Sequence, residues 1–329
     1  MSARTDGRIA RGPVHAAWTL EDWPAITVVV PTRDRPELLR RAVCAVLGQS
    51  YPGDIECIVV FDQSEPGEVP VDTADGADGG PRRTLITARN ARTPGLAGAR
   101  NTGILIATHG VIGHCDDDDV WLPGKLMRQL ELWREVADAP AVGTGVTIRN
   151  ESGDHPRRAP ARATFAEFLE SRIMEIHSST LLVRRADLLD RIGLLDEELP
   201  NSFGEDYDWL LRASRHGAIA SVPEPLIEVN WSRPSFYTSK WKAMADGLTY
   251  ILRKFPEFAG TRTGRARLEG QIAFAHAARG ARAQAVRWAL RTLSHDPRQL
   301  RALGALAVAA RLTSADRLVR RVQAGGRGL

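Results

Sequence analysis

Cysteine is scarce in this 329-residue chain: Cys44, Cys57 and Cys115 are the whole complement. Three scattered cysteines make neither a disulfide framework nor a zinc site. They are expected to be reduced packing residues, with Cys115 an apolar strand position. Long apolar runs are missing too. The best stretch, Ala302 to Ala310, is closed by Arg311, far short of the roughly 20 residues a membrane-spanning helix needs. The opening MSARTDGRIARGPVHAAW holds no apolar segment of the kind found in secretory leaders. Work in the cytoplasm, or at the cytoplasmic face of the membrane, is therefore expected. Glycine and proline, at 29 and 19 residues, follow no period, which excludes a collagen-like chain. With 43% hydrophobic residues and a net charge of only +4, disorder is excluded as the main state.

What is present divides unevenly. Residues 262–329 carry 14 arginines against Glu269, Asp296 and Asp316, a net of +11, which leaves −7 on residues 1–261. An acidic body with a basic appendage is the natural reading. In the body, Ile26 to Val30 is a β-branched run closed by Pro31, and Glu56 to Phe61, Thr84 to Ala88 and Val111 to Cys115 read as further strands. Helical stripes start at Pro36, at Leu96 and after Pro123, the proline at 36 suiting a first turn. Alternating strands and helices predict an α/β fold with a mostly parallel central sheet. A strand near Val142 to Ile148, a loop over residues 150–163, a strand from Ser178 to Val183, a helix from Glu205 to His216 and a strand from Leu226 to Trp231 complete it. Beyond Phe236 the chain reads as nearly all helix, with breaks near residues 255–264, 280 and 297. The expected units are a lead-in over 1–24, a body over 25–255 and a basic helical extension over 256–329.

Ligands of such sheets bind beyond the carboxyl ends of the strands, and the polar residues gather there: Thr32 to Arg35, Asp62, and Asp116 to Asp119. Four adjacent carboxylates repel one another unless a cation or hydrogen bonds offset the charge. Oxygen ligands on a short acidic loop suit Mg²⁺ or Mn²⁺; a solvated acidic turn is the plain alternative. Apolar anchors on both sides of the loop favour the site. Glu205–Asp206 likewise reads either as an acidic pair at a helix N-terminus or as catalytic carboxylates.

Together, PTRDRPELLRRAVCAVLGQSYP, IVVFDQS, GLAGARNTGI, CDDDDVWLPGKL and GEDYDWLLR resemble, in order and spacing, the family 2 glycosyltransferases of the GT-A fold. The resemblance covers roughly residues 26–231. It implies a metal-dependent, inverting transfer of a sugar from a nucleotide-sugar donor, UDP or dTDP by default, to a hydroxyl of a saccharide, glycolipid or cell-envelope acceptor. By the same resemblance, Pro31 and Thr32 contact the nucleoside and Asp62 accepts a hydrogen bond from the base. Phe61 stands where the family usually has a preceding aspartate. Arg100 and Asn101 lie near the diphosphate and donor sugar. Asp116 and Asp118 form the DxD pair with Asp118 as metal ligand, and Asp117 lies beside the sugar or ribose. Asp206 is the implied base, with Glu205 its partner. Chemistry demands such a group, since an acceptor hydroxyl must lose its proton as it attacks. The metal would neutralise the leaving diphosphate.

Arg233 reads as a diphosphate contact or a solvated loop residue, and His177 as an acceptor contact or a structural histidine. Trp121 and Trp209 read as core anchors, and Lys125 as a cap on the acidic loop. Residues 274–297 weakly resemble a tetratricopeptide hairpin, and one such unit cannot bury its own face. The extension must then pack on the body or a partner; its arginines also suit peripheral contact with anionic membrane. Two other readings stand beside the transferase. A nucleotidyltransferase would carry a basic Gly-rich signature that PTRDRPE lacks, and a non-catalytic nucleotide-sugar-binding scaffold fits poorly with intact Asp116, Asp118 and Asp206. No aromatic-interleaved basic patch points to nucleic acid.

Overall fold

The computed structural model describes residues 23–73, 79–230 and 241–323. The lead-in through residue 22 and Arg233 lie outside them. The body opens with β1 (Ile26–Thr32), α1 (Pro36–Leu47), β2 (Ile55–Phe61), β3 (Arg83–Arg89), α2 (Leu96–Ile106) and β4 (Val111–His114). It continues through β5 (Asp119–Trp121), α3 (Lys125–Glu135), β6 (Ala141–Asn150), β7 (Gly153–Arg157), β8 (Arg162–Ala163), α4 (Phe165–Glu170) and β9 (Leu182–Arg184). Next come α5 (Glu205–Ser214), β10 (Ile219–Asn230) and α6 (Trp241–Lys254), and the chain finishes with α7 (Arg262–Ala278), α8 (Arg282–His295), α9 (Leu300–Ala309) and α10 (Ala315–Gln323).

The strands form one mixed sheet in the order β3-β2-β1-β4-β9-β6-β10-β5. The four leading strands run parallel, as the βαβ spacing requires. β9 then runs antiparallel to both β4 and β6, and β5 antiparallel to β10. Period-2 alternation sets the two faces. Val29 joins the layer under α2, α5 and α6, while Val28 and Val30 join the layer under α1 and α3. Each such fully buried aliphatic side chain contributes at most about 1.5–3 kcal/mol.

Several boundaries differ from the sequence reading. Pro31 does not end β1, which runs on to Thr32 with Pro31 opposite Val60; a proline near a strand's end forfeits few ladder bonds. The expected loop at 150–163 contains β7, hairpinned to β6, and β8 beside β10. Pro156 is tolerated there because β7 pairs with β6 alone. Residues 178–180 form a 3₁₀ turn, so that strand starts only at Leu182. β10 begins seven residues before Leu226, and α5 ends at Ser214 rather than His216. Cys57 and Cys115 are buried, but Cys44 is exposed on α1.

The C-terminal helices do not stand apart. Leu268, Ile272 and Ala275 of α7 share one hydrophobic cluster with Val29, Trp209 and Phe258. A methyl at Gly264 would sit 2.0 Å from the Leu169 carbonyl oxygen, so only glycine lets α7 approach α4 this closely. The other face of α7 packs with α8, α9 and α10 through Phe274, Ala285, Ala305 and Val319.

Candidate active site

Two acidic segments far apart in the chain meet across one cavity of roughly 460 Å³. Asp116 and Asp118, from the loop between β4 and β5, and Asp119, opening β5, line it together with Glu205 and Asp206, which open α5. Gly204 precedes that pair at φ 84°, a left-handed turn that glycine makes at low cost. Arg100 of α2 binds the segments together. Its guanidinium is wholly buried, ion-pairs with both Asp116 and Glu205, and donates to Ser178 Oγ at 2.8 Å. Burial pushes the Glu205 carboxyl up to about 7 despite that arginine.

Asp206 has a different partner. Arg172 Nη2 donates to Oδ1 at 2.8 Å and Oδ2 at 2.9 Å, and the Tyr207 amide donates to Oδ1 at 2.8 Å. Burial pushes Asp206 up, but Arg172 and Arg100 more than offset it, and the carboxyl ends below its ordinary range. Arg172 is not among the residues singled out from the sequence.

The rest of the acidic loop is held from β1. Thr32 Oγ1 donates to Asp117 at 2.8 Å, and Arg35 Nη1 reaches Asp117 at 3.2 Å and Asp118 at 2.8 Å. Burial, then Asp118, pushes the Asp117 carboxyl up to about 6. Asp119 is buried and raised well above the ordinary range by burial and by Asp116 and Asp118. One ligand atom each from Asp116, Asp119 and His177 lies within 4.8 Å of the others. His177 Nε2 is buried with no hydrogen-bond partner, and burial lowers its pKa, so the ring is neutral and able to ligate. Two carboxylates and an imidazole with a free Nε2 fit a divalent cation, the carboxylate oxygens suiting Mg²⁺ or Mn²⁺ and the imidazole a transition metal. The linear sequence gave no signal joining His177 to a loop some sixty residues earlier.

The other sequence candidates lie beside this cavity or away from it. Asp62, after β2, accepts from Asn90 at 2.8 Å, Gly95 N at 3.0 Å and Gln63 at 2.8 Å. Pro31 sits in β1 next to Thr32. Asn101 turns toward another segment: it donates to Leu195 O and Glu197, and accepts from Leu195 N. Lys125 does not cap the acidic loop. It is buried, donates to Gln129 Oε1 at 2.7 Å and lies 3.6 Å above the Trp121 ring. Trp121 and Trp209 are core anchors as expected, each indole donating to a backbone carbonyl at 3.1 Å.

Residues 27–193 match the family model described as glycosyl transferase family 2. The chain is 31% identical over 204 residues to the succinoglycan biosynthesis protein ExoU of Rhizobium meliloti, covering 59% of this chain and 58% of that one. It thus spans little more than half of that relative. It is 26% identical to the Escherichia coli UDP-Glc:alpha-D-GlcNAc-diphosphoundecaprenol beta-1,3-glucosyltransferase WfgD, over 67% of this chain and 82% of that one. Among solved structures it resembles the mannosyltransferase PcManGT from Pyrobaculum calidifontis in complex with GDP-Man and Mn²⁺. The TM-score is 0.52 at 20% identity, covering 89% and 81% of the two chains. That likeness speaks for the fold.

Proposed function

The chain belongs to glycosyltransferase family 2, and from that premise we propose that it moves a sugar from a nucleotide-sugar donor to an acceptor hydroxyl with inversion at the anomeric carbon. The observation that carries this is the single cavity shared by the Asp116–Asp119 loop and the Glu205–Asp206 pair, with Arg100 bridging them. Neither a bare nucleotide-binding scaffold nor a solvated acidic turn requires both acidic segments to face one space.

In this reading Asp206 takes the proton of the acceptor hydroxyl as that oxygen attacks the anomeric carbon. The bond to the nucleoside diphosphate breaks in the same displacement. Oδ2 is the freer oxygen, since Oδ1 also accepts from the Tyr207 amide. The carboxylate stays ionised at neutral pH because Arg172 and Arg100 stabilise its charge. Arg100 holds the diphosphate end of the cavity at a fixed distance from the base. Thr32 and Asp62 bind the nucleoside.

A divalent cation, when bound, neutralises charge on the leaving diphosphate as a Lewis acid. Asp116, Asp119 and His177 would hold it; Asp118, the ligand implied by the motif, pairs with Arg35 through Oδ2. UDP or dTDP is the favoured nucleotide and a lipid-linked saccharide the favoured acceptor, by likeness to WfgD, whose name carries UDP-Glc and a diphosphoundecaprenol acceptor. No helix among the described residues is long and apolar enough to cross a membrane; a lipid-linked acceptor is taken to be met by peripheral contact at the membrane's cytoplasmic face.

The deciding experiment is a donor screen across UDP-, dTDP- and GDP-sugars with Mg²⁺ and Mn²⁺, following nucleotide release and the anomeric configuration of the product. One donor turned over with inversion supports the reading. Tight nucleotide binding with no turnover of any donor would favour the scaffold.

A further inference from the structure

Part of the cavity lining comes from the C-terminal helices, and it includes two cations. Arg267 of α7 and Arg301 of α9 both line the space that Asp206 lines. Arg267 donates to Tyr207 Oη at 2.8 Å and to the Glu170 carbonyl at 3.3 Å, so it is fixed beside the residue that follows Asp206. Arg301 donates to Gln299 at 3.3 Å, and its Nε is buried with no partner. Among the described residues no carboxylate forms an ion pair with either guanidinium. By contrast, Arg265 of α7 and Arg291 of α8 both pair with Glu269.

Two unpaired guanidiniums in a partly enclosed space repel each other and lose hydration. Both have their pKa lowered, Arg267 by burial and then by Arg172, Arg301 by burial and then by Arg267. Packing did not require arginine here: apolar side chains line the same wall, among them Leu268, Met244 and Val319. Such a pair is stabilised when an anion fills the gap, because planar guanidinium forks match phosphate and carboxylate oxygens. In the reading above the donor diphosphate is held with Asp116 and Asp119, so the anion sought here is a different group.

We propose that Arg267 and Arg301 form an acceptor subsite for an anionic group, a phosphate or a carboxylate, carried next to the sugar whose hydroxyl faces Asp206. This rests on the reading of Asp206 as the base. The C-terminal helices therefore select the acceptor as well as stabilising the body. The two sources share one chemistry, oxygen anions on guanidinium forks. Phosphate would come from a phosphorylated or lipid-linked acceptor, carboxylate from an acidic sugar.

The test is calorimetric titration of the full chain, with the donor end filled by UDP and Mg²⁺, using inorganic phosphate in one arm and glucuronate in the other. At least one anion should bind. Arg301→Gln and Arg267→Gln should each weaken it about tenfold or more, and Arg301→Lys should retain part of the affinity. Preference for phosphate assigns a phosphate-bearing acceptor, and preference for glucuronate an acidic sugar. Thermal midpoints report folding, and because Arg267 also supports Tyr207, Arg301→Gln is the cleaner variant. If neither anion binds the wild type at millimolar concentration, or if both glutamine variants bind as tightly as wild type, the subsite is overturned. Failure of UDP itself to bind would instead sink the donor reading and leave the anion comparison standing.

Discussion

Arg172 offers one nitrogen to both carboxylate oxygens of Asp206, at 2.8 and 2.9 Å. The pairing holds the Asp206 carboxyl below its ordinary range, and the Tyr207 amide on Oδ1 leaves Oδ2 the freer oxygen. Asp206→Asn preserves shape but removes the proton acceptor, so steady-state transfer should fall by about 10²–10⁴-fold. UDP affinity, measured by titration, should stay near the wild-type value. If Asp206→Asn transfers normally while Glu205→Gln does not, the two neighbours have exchanged roles.

Metal dependence is the second expectation. EDTA should abolish donor turnover, and Mg²⁺ or Mn²⁺ should restore it. Loss of several kcal/mol of charge stabilisation corresponds to roughly 10³-fold in rate. His177→Ala should raise the metal concentration needed for half-maximal activity, since it removes the unpartnered imidazole beside Asp116 and Asp119. Comparing Asp118→Asn with Asp119→Asn then separates the ligand implied by the motif from the one suggested by geometry. Full activity in EDTA would remove the metal from the mechanism.

Arg100 is wholly buried and joins the buried Glu205 to the half-buried Asp116, so removing it leaves Glu205 uncompensated. Arg100→Met should therefore cost about 3–5 kcal/mol in urea unfolding, the usual penalty for breaking a buried pair from one side. A loss below about 1 kcal/mol, within the range of an exposed ion pair, would mean that water reaches Asp116 and Glu205 freely.

Lys125 gives a signed pH dependence. Burial lowers its pKa from 10.5 to about 7. Between those values the unfolded chain holds a proton that the folded chain does not, so this group adds stability as pH rises through that window. From pH 7 to 8.5 wild type should gain roughly 1–2 kcal/mol relative to Lys125→Met. A difference in unfolding free energy that stays flat over that range would show that the ammonium is accommodated by the Trp121 face and Gln129.

Much of this was legible in the sequence because the signals were local. Ile26 to Val30 and Pro36 onward each declare one element through a run or a stripe, and the acidic loop is contiguous. What escaped depends on partners distant in the chain. β5 has three residues, Asp119–Trp121, and exists only because Ile227 to Val229 lie alongside. β7 carries a proline and a positive-φ glycine at 153, which read as loop until β6 supplies its ladder. The Asn101 side chain could be assigned to the ARN segment but not aimed, since its direction is set by the loop at Leu195 to Glu197. His177 and Arg172 carry no motif, and only the crossing of β9 between β4 and β6 brings their segment to the acidic loop.

The basic extension supplies the last prediction. Exposed Leu290, Leu300, Leu303 and Leu312 share the C-terminal helices with exposed Arg311, Arg317, Arg320 and Arg321. That combination suits the headgroup region of an anionic bilayer, each well-placed arginine adding about 1 kcal/mol at low salt. Cutting the chain near residue 261 is a poor test, because Leu268 and Ile272 belong to the core of the body and their removal should leave an unfolded product. Substitution within the full chain avoids this. Arg317→Glu, Arg320→Glu and Arg321→Glu together should cut sedimentation with phosphatidylserine vesicles at low salt by more than tenfold, since three attractive charges become repulsive. Wild-type binding should itself fade as salt shortens the screening length. If wild type ignores anionic vesicles at low salt, the exposed arginines are a solvated face, and the extension serves the body through α7 alone.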